Sequence, residues 1–459
     1  MEKCKTISKN IQENLKHFEE IFPSKTSADI IKKIFCVSGK DAAVYHINGM
    51  LDTENAIKIL DRLQKAENCE RYENAEMLAR EVIPYTDCKT ENNLEKLTDA
   101  ILSAQSVVVI DGYEDAIILD TKKYPSRSIE EPEKNKTMRG PRDGFGENIL
   151  TNTALVRRRI KSRNLMFESF EIGSETKTKV MLGYMKGKAD EELLEIIRKR
   201  LSSTSLVSLT LTQETLTQEL FGKTRMRRLN PFPKVRFIER PDTAASMLIE
   251  GKIMILCDTT PTAIFVPITI YDFIEETDDY YFPPLTGTYL RILRIAIILI
   301  SVFLTPTWLL ITKGSFMIHE NFSFITKVPE STVPLWLQLI LIELMVDALK
   351  IASLNTPNTI ANSLGVVSGL LLGDFAIDSG WFIPQTILYS SICAIANYIP
   401  TNYEIGYCFK FCRIGMIIFV ELWGKAGLLI SVLLILIILA SNKTADQCLP
   451  FYIYAPKLS

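Results

Sequence analysis

The chain has 459 residues, with 52 Lys and Arg against 54 Asp and Glu. That near balance excludes the basic footprint of a nucleic-acid binder, and the length allows two or three domains. The average conceals a division: residues 1–285 are rich in charge, whereas long apolar runs dominate from about Tyr289 onward.

The first twenty residues are polar and hold no apolar core of a secretory signal, so the front half is expected to stay in the cytosol. Nine cysteines are scattered without a CxxC pair, which suits reduced thiols. Cys408 and Cys412 lie four apart with no histidine nearby, and His17, His46 and His319 stand alone. No metal site and no cofactor are expected from such spacing.

The front half echoes itself. Val44–Leu63 resembles Leu182–Leu201, aligning Gly49 with Gly187, Asp52 with Asp190 and Leu63 with Leu201. Each copy predicts a short strand, a Gly turn, an Asp helix cap and an amphipathic helix. Leu102–Leu119 likewise resembles Ile249–Val266, aligning Asp111 with Asp258. Here each copy predicts an apolar strand, a tight Asp-containing turn and another apolar strand. Two echoes in the same order predict two related α/β subdomains with one insertion between the echoes. The charged, proline-bearing stretch Tyr124–Asp143 suits a linker between them. A helix predicted over Asn152–Arg163 carries Arg157, Arg158 and Arg159. Those groups suit either local salt bridges on a solvated face or anionic lipid and a neighbouring subunit's acids.

In the apolar half, Tyr289–Ile311 is long enough to cross a bilayer. Arg291 and Arg294 at its entrance fit a cytoplasmic start. Further candidate spans are Leu335–Leu354, Asn358–Ile377, Trp381–Ile399 and Phe411–Ser441, the last interrupted by Gly424 and Gly427. A polytopic helical domain of four to five spans follows, with Lys410 and Arg413 supporting an inner loop before the last one. Glu343, Asp347 and Lys350 fall on one helix face. They mark either an amphipathic surface helix or a stripe along an aqueous path or inter-subunit seam. Glu421 and Lys425 are spaced to neutralise each other, and Gly365, Gly369 and Gly373 form a face that another helix can approach closely.

Phosphate-binding loops, dinucleotide fingerprints and catalytic triads are missing from the sequence, so no enzyme activity is expected. Asp111 and Asp258 are better explained by backbone turns than by acid–base work.

Arg139–Ser162 (RGPRDGFGENILTNTALVRRRIKS) resembles a hallmark stretch of the GerA-type spore germination A subunits, through Arg139, Gly140, Pro141, Phe145, Asn152 and the three arginines. Arg236–Pro261 (RFIERPDTAASMLIEGKIMILCDTTP) resembles a second hallmark, through Glu239, Arg240, Pro241 and Asp258. The membrane runs are similar in character, and NPFPKVRFIERPD resembles the SpoVAF branch more than the nutrient-receptor A subunits. The segment Leu201–Arg228 and the tail beyond Ser441 follow the family loosely.

The resemblance implies a multi-pass protein of the spore inner membrane, with its N-terminal domain on the cytosolic, core side. It implies a homo-oligomer that forms an ion-conducting path, works with other germination membrane proteins, and releases ions or amplifies their release. A non-conducting scaffold or a nutrient-receptor subunit is the alternative. The expected division is 1–138, 139–285, 286–445 and a short tail 446–459.

Overall fold

The computed structural model describes residues 6–441 except 67–71, 84–86, 125–140, 205, 210–211, 222–229, 275, 277, 315–327, 330, 356–364, 367–368, 370–372, 374 and 400–401. Most of the expected linker, Arg139, Gly140, most of the expected span Asn358–Ile377 and the tail lie outside the described residues. The chain forms two units, Met1–Lys223 with Val235–Ile268, and Thr224–Lys234 with Thr269–Ser459.

The first unit runs twice through one succession of elements. The first pass is α1 (Ile11–Ile21), β1 (Ile30–Val37), β2 (Lys40–Ile47), α2 (Thr53–Lys65), α3 (Ala75–Val82), β3 (Cys88–Glu91), α4 (Leu94–Leu102), β4 (Ser106–Ile110) and β5 (Ala116–Leu119). The second is α5 (Ile149–Arg159), β6 (Leu165–Ile172), β7 (Thr178–Met185), α6 (Glu191–Ser203), α7 (Thr212–Phe221), β8 (Arg236–Ile238), α8 (Pro241–Ile249), β9 (Ile253–Cys257) and β10 (Ala263–Val266). Each pass makes a five-stranded sheet, ordered β1-β2-β4-β5-β3 and β6-β7-β9-β10-β8. All neighbouring pairs within both sheets are antiparallel.

The residue pattern explains this layering. Strand β4 is apolar almost throughout because both its faces are covered. Val107 and Val109 join a core with Phe18 and Ile101, while Val108 and Ile110 join another with Ile59, Leu63 and Leu78. The predicted caps are present: Asp52 accepts from the Asn55 amide, and Asp190 accepts from those of Glu192 and Leu193. Gly49 and Gly187 both take φ +80°, a conformation that favours glycine. The shift between the two echoes arises between α6 and β8, where the second pass is longer. The Arg-bearing helix begins earlier than its polarity suggests, since Asn148 caps it, and it stops at Ile160.

The second unit contains α9 (Ile270–Ile274), α10 (Asp278–Tyr281), α11 (Pro284–Thr312), α12 (Leu335–Leu354), α13 (Pro384–Ala396) and α14 (Tyr403–Ser441). Among the described residues, two helices are long and apolar enough to cross a membrane, α11 and the Glu404–Ala440 part of α14. Helix α12 has 20 residues but bears three charges. The clean span expected over Trp381–Ile399 is replaced by a helix of 13 residues. At 1.5 Å per residue it covers about 20 Å, short of a bilayer core of about 30 Å. Pro384 sets its start, and Gly380 before it stands at φ +69°. Helix α14 breaks at Gly424, at φ 55° and ψ −127°. Trp308, Leu309, Leu339, Ile383, Ile417 and Val420 form a shared core among α11 to α14.

Candidate functional site

The hallmark residues of the first unit build joints. Arg157 is buried. Its Nε donates to Asp29 Oδ2 at 2.6 Å, and its Nη2 donates to Asp29 Oδ1 at 3.2 Å and to the Leu165 carbonyl at 2.9 Å. The guanidinium also lies 5.3 Å from the Phe167 ring centroid. Of the uses expected for this arginine, neither lipid nor solvent applies: the group clamps the second half to the first. Arg159 makes a two-pronged contact with Asp143, and Arg158 lies over the Tyr124 ring. Arg240 makes a similar contact with Asp242, while Pro241 occupies the first turn of α8. Pro141 is exposed, Phe145 packs in the second core, and its amide donates to the Glu239 carbonyl.

One device occurs twice. Asn152 accepts from the Gly146 amide and donates to the Gly146 carbonyl, and Asn14 does the same with Ser8. Asp258 accepts from the Ile149 amide at 3.1 Å, and Asp111 accepts from the Ile11 amide at 3.0 Å. Each aspartate, carried by a strand turn, therefore satisfies an otherwise unpaired donor at a helix start. That role went unseen in the sequence, because the two partners lie 109 and 100 residues apart.

Further titratable groups in this unit are displaced by burial. The Cys257 thiol is pushed up to about 12 by desolvation. Burial and then the Glu168 carboxylate raise the Tyr184 phenol, which donates to Glu168 at 2.7 Å. Arg198 donates to both of them. His46 is held below the ordinary imidazole range by burial and then by Lys33.

In the second unit, the expected stripe on α12 divides. Glu343 is buried against α14, where Arg413 Nε donates to its Oε1 at 2.8 Å. Arg413 Nη1 also donates to the Ser301 carbonyl of α11 at 2.6 Å. Lys410 donates to the Glu343 carbonyl at 2.8 Å and lies 3.3 Å from Glu343 Oε2 and 2.7 Å from Asp347 Oδ2. Lys410 and Arg413, expected beside an inner loop, lie within α14 as buried partners of these acids. A buried ion without a partner costs several kcal/mol, so opposite charges gather where helices meet. Asp347 remains partly exposed, and Lys350 sits 5.1 Å from the Tyr398 ring and 4.8 Å from the Tyr407 ring. Asp347, Lys350, Lys410, Asn397, Tyr398 and Tyr407 line a half-open pocket.

Other charges of this unit also find partners. Glu421 is met by Lys313 at 2.8 Å, rather than depending on Lys425 alone, because the break at Gly424 interrupts the helical spacing. Arg294 donates to both oxygens of Asp279, at 2.7 and 3.1 Å, and to Glu276 at 3.0 Å. Its charge at the head of α11 is thereby compensated within the chain. A Cβ on Gly365, Gly369 or Gly373 would meet nothing within 4 Å among the described residues. Gln338, missed in the sequence, ties α12 to α13 by accepting from the Ile383 amide and the Thr386 hydroxyl. Among the described residues, no group of three or more His, Cys, Asp or Glu could hold a metal ion.

The family model for the Bacillus/Clostridium GerA spore germination protein matches residues 16–454. Stage V sporulation protein AF of Bacillus subtilis (strain 168) is 32% identical over 441 residues, covering 95% of this chain and 88% of that protein. Spore germination protein KA of the same organism is 26% identical over 446 residues, covering 96% and 80%. Of solved structures, the N-terminal domain of the A subunit of the Bacillus megaterium spore germinant receptor GerK3 is 27% identical, with a TM-score of 0.44. That match covers 57% of this chain and 98% of the other. The higher identity to the AF protein than to KA agrees with the branch suggested by the motifs. With nearly its whole length matched, the chain belongs to the GerA spore germination family.

Proposed function

We propose that this chain is a multi-copy, ion-conducting subunit of the spore inner membrane that releases ions, or amplifies their release, during germination. The observation that supports this reading is the charge cluster of α12 and α14. Glu343 and Arg413 act as its anchor. Asp347 and Lys350, on the half-open side, face the wet path. Charged groups at membrane depth are expensive and mark ion routes when they face water. The glycines Gly365, Gly369 and Gly373 would serve contact with a neighbouring copy. In this reading the chain divides near residues 138, 285 and 445, crosses the membrane four to five times, and keeps its first unit on the core side. Its partners are further copies of itself and other germination membrane proteins.

Reconstitution of the full chain into liposomes tests the reading. Cation flux should fall several-fold in Asp347→Asn and change its ion preference in Lys350→Gln. Flux untouched by both substitutions would overturn this helix as the wall of the path. The pocket supports a second reading, a nutrient-receptor subunit or non-conducting scaffold, since its tyrosines, Asn397 and two lysines suit a small polar solute. Saturable binding of a nutrient, lost in Tyr407→Ala and accompanied by no flux, would favour that alternative.

A further inference from the structure

The two halves of the first unit meet through α5. Its Ile149, Leu155 and Val156 pack in the core of the second sheet, and its Ala154 packs in the core of the first. The socket in the first half is the turn after β2. A Cβ on Gly49 there would lie 3.0 Å from the Leu150 carbonyl oxygen and 3.3 Å from Ala154 Cβ. The Arg157–Asp29 pair and the exchange of backbone hydrogen bonds between Thr26, Ala28 and Phe167 complete the joint.

Both parts of this joint have a counterpart elsewhere in the unit. Helix α1 stands to the first sheet as α5 stands to the second, with matching asparagine clasps and matching aspartates at the helix start. In that correspondence Gln12, Lys16 and Glu19 take the places of Leu150, Ala154 and Arg157. The turn after β7 corresponds to the socket: Gly187 has the same φ of +80° as Gly49. Yet a Cβ on Gly187 would meet nothing within 4 Å among the described residues. The outer face of α1 exposes Gln12, Glu13, Lys16 and Glu20, with Glu19 beside them, so it is acidic overall. Lys186 and Lys188 are exposed on the rim of the Gly187 turn. One joint is filled, and an acidic helix face and a basic open turn remain at the corresponding positions.

We propose that α1 of one chain docks against the Gly187 turn of a second copy, repeating between chains the contact that α5 makes within one. The contact is head-to-tail, so it generates a ring where the rotation closes. Lys16 replaces Ala154 and Glu19 replaces Arg157, so the seam between chains carries a charge where the internal one has a methyl group and the opposite sign where the internal one has its arginine. Its association is therefore salt-sensitive. The inference rests on the multi-copy reading above and assigns that reading a specific surface.

The test uses two differently tagged full-length chains, one carrying Lys16→Cys and the other Lys188→Cys, co-expressed and oxidised in membranes. A mixed disulfide-linked dimer that needs both substitutions is expected. Either variant expressed alone should migrate like the parent chain. Exchanging charge in Lys186→Glu/Lys188→Glu should lower the multimer fraction several-fold at low salt, and Glu13→Lys/Glu20→Lys in the second chain should restore it. A Lys16→Cys homodimer, or no mixed dimer while native mass still reports multimers, overturns this surface and leaves the multi-copy reading standing. Native mass reporting single copies overturns both.

Discussion

At the scale of single residues, the strongest commitments are charges removed from water. Arg157 and Asp29 are both buried, and each satisfies the other. Arg157→Met would strand the Asp29 carboxylate, a change that costs roughly 3–5 kcal/mol for a buried pair. Hydrogen exchange on the full chain should then show β1 and α5 amides exchanging faster by about a hundredfold or more. Asp29→Leu added to Arg157→Met should recover part of that loss, since a well-packed apolar pair often replaces a buried ion pair. His46 carries the pH dependence at this scale. Its folded pKa lies below the unfolded value, so the unfolded chain binds more protons once pH falls below about 6.5. Its contribution is present above that value and is lost as pH drops toward the folded pKa. The thermal midpoint of the first unit should therefore decline between about pH 7 and pH 5.5, and His46→Asn should flatten part of that decline.

At the scale of elements, helix ends and breaks do much of the specifying. Gly424 takes a φ/ψ pair that L side chains rarely adopt, and it sits between Trp423 and Lys425 in the longest apolar run. Gly424→Ala should cost about 1–3 kcal/mol of local strain or straighten α14. Cysteine accessibility on either side of position 424 in membranes would register the change. The glycine interruption was visible in the sequence, as were the Asp caps of α2 and α6 and the duplicated strand–turn–strand runs. These are local signals, carried by neighbouring residues. What was not visible depends on contacts distant in the chain. Arg157 looked like a surface arginine because Asp29 lies 128 residues away. Lys410 and Arg413 looked like loop charges because their partner Glu343 belongs to another helix. The short α13 looked like a full span because hydropathy does not register where Pro384 and Asn397 end the helix.

At the scale of the whole molecule, an α/β part that repeats one succession of elements adjoins in sequence a helical part held by a few charged welds. The Glu343–Arg413–Lys410 group ties α12 to α14, and Arg413 reaches α11 as well. Glu343→Gln should leave the buried Arg413 without its carboxylate and Lys410 with Asp347 alone, with a cost of about 3–5 kcal/mol. The variant should lose its resistance to SDS unfolding at a lower detergent fraction than Asp347→Asn, whose carboxylate is partly exposed.

Helix α5 bears on the whole first unit in another way. Because Ala154 belongs to one core and Leu155 and Val156 belong to the other, neither sheet can melt while its neighbour keeps that helix. Two halves built on one order of elements are thus thermally coupled. Calorimetry should record a single heat-absorption peak for both sheets together, and Ala154→Gly, by loosening the shared helix from the first, should split it into two.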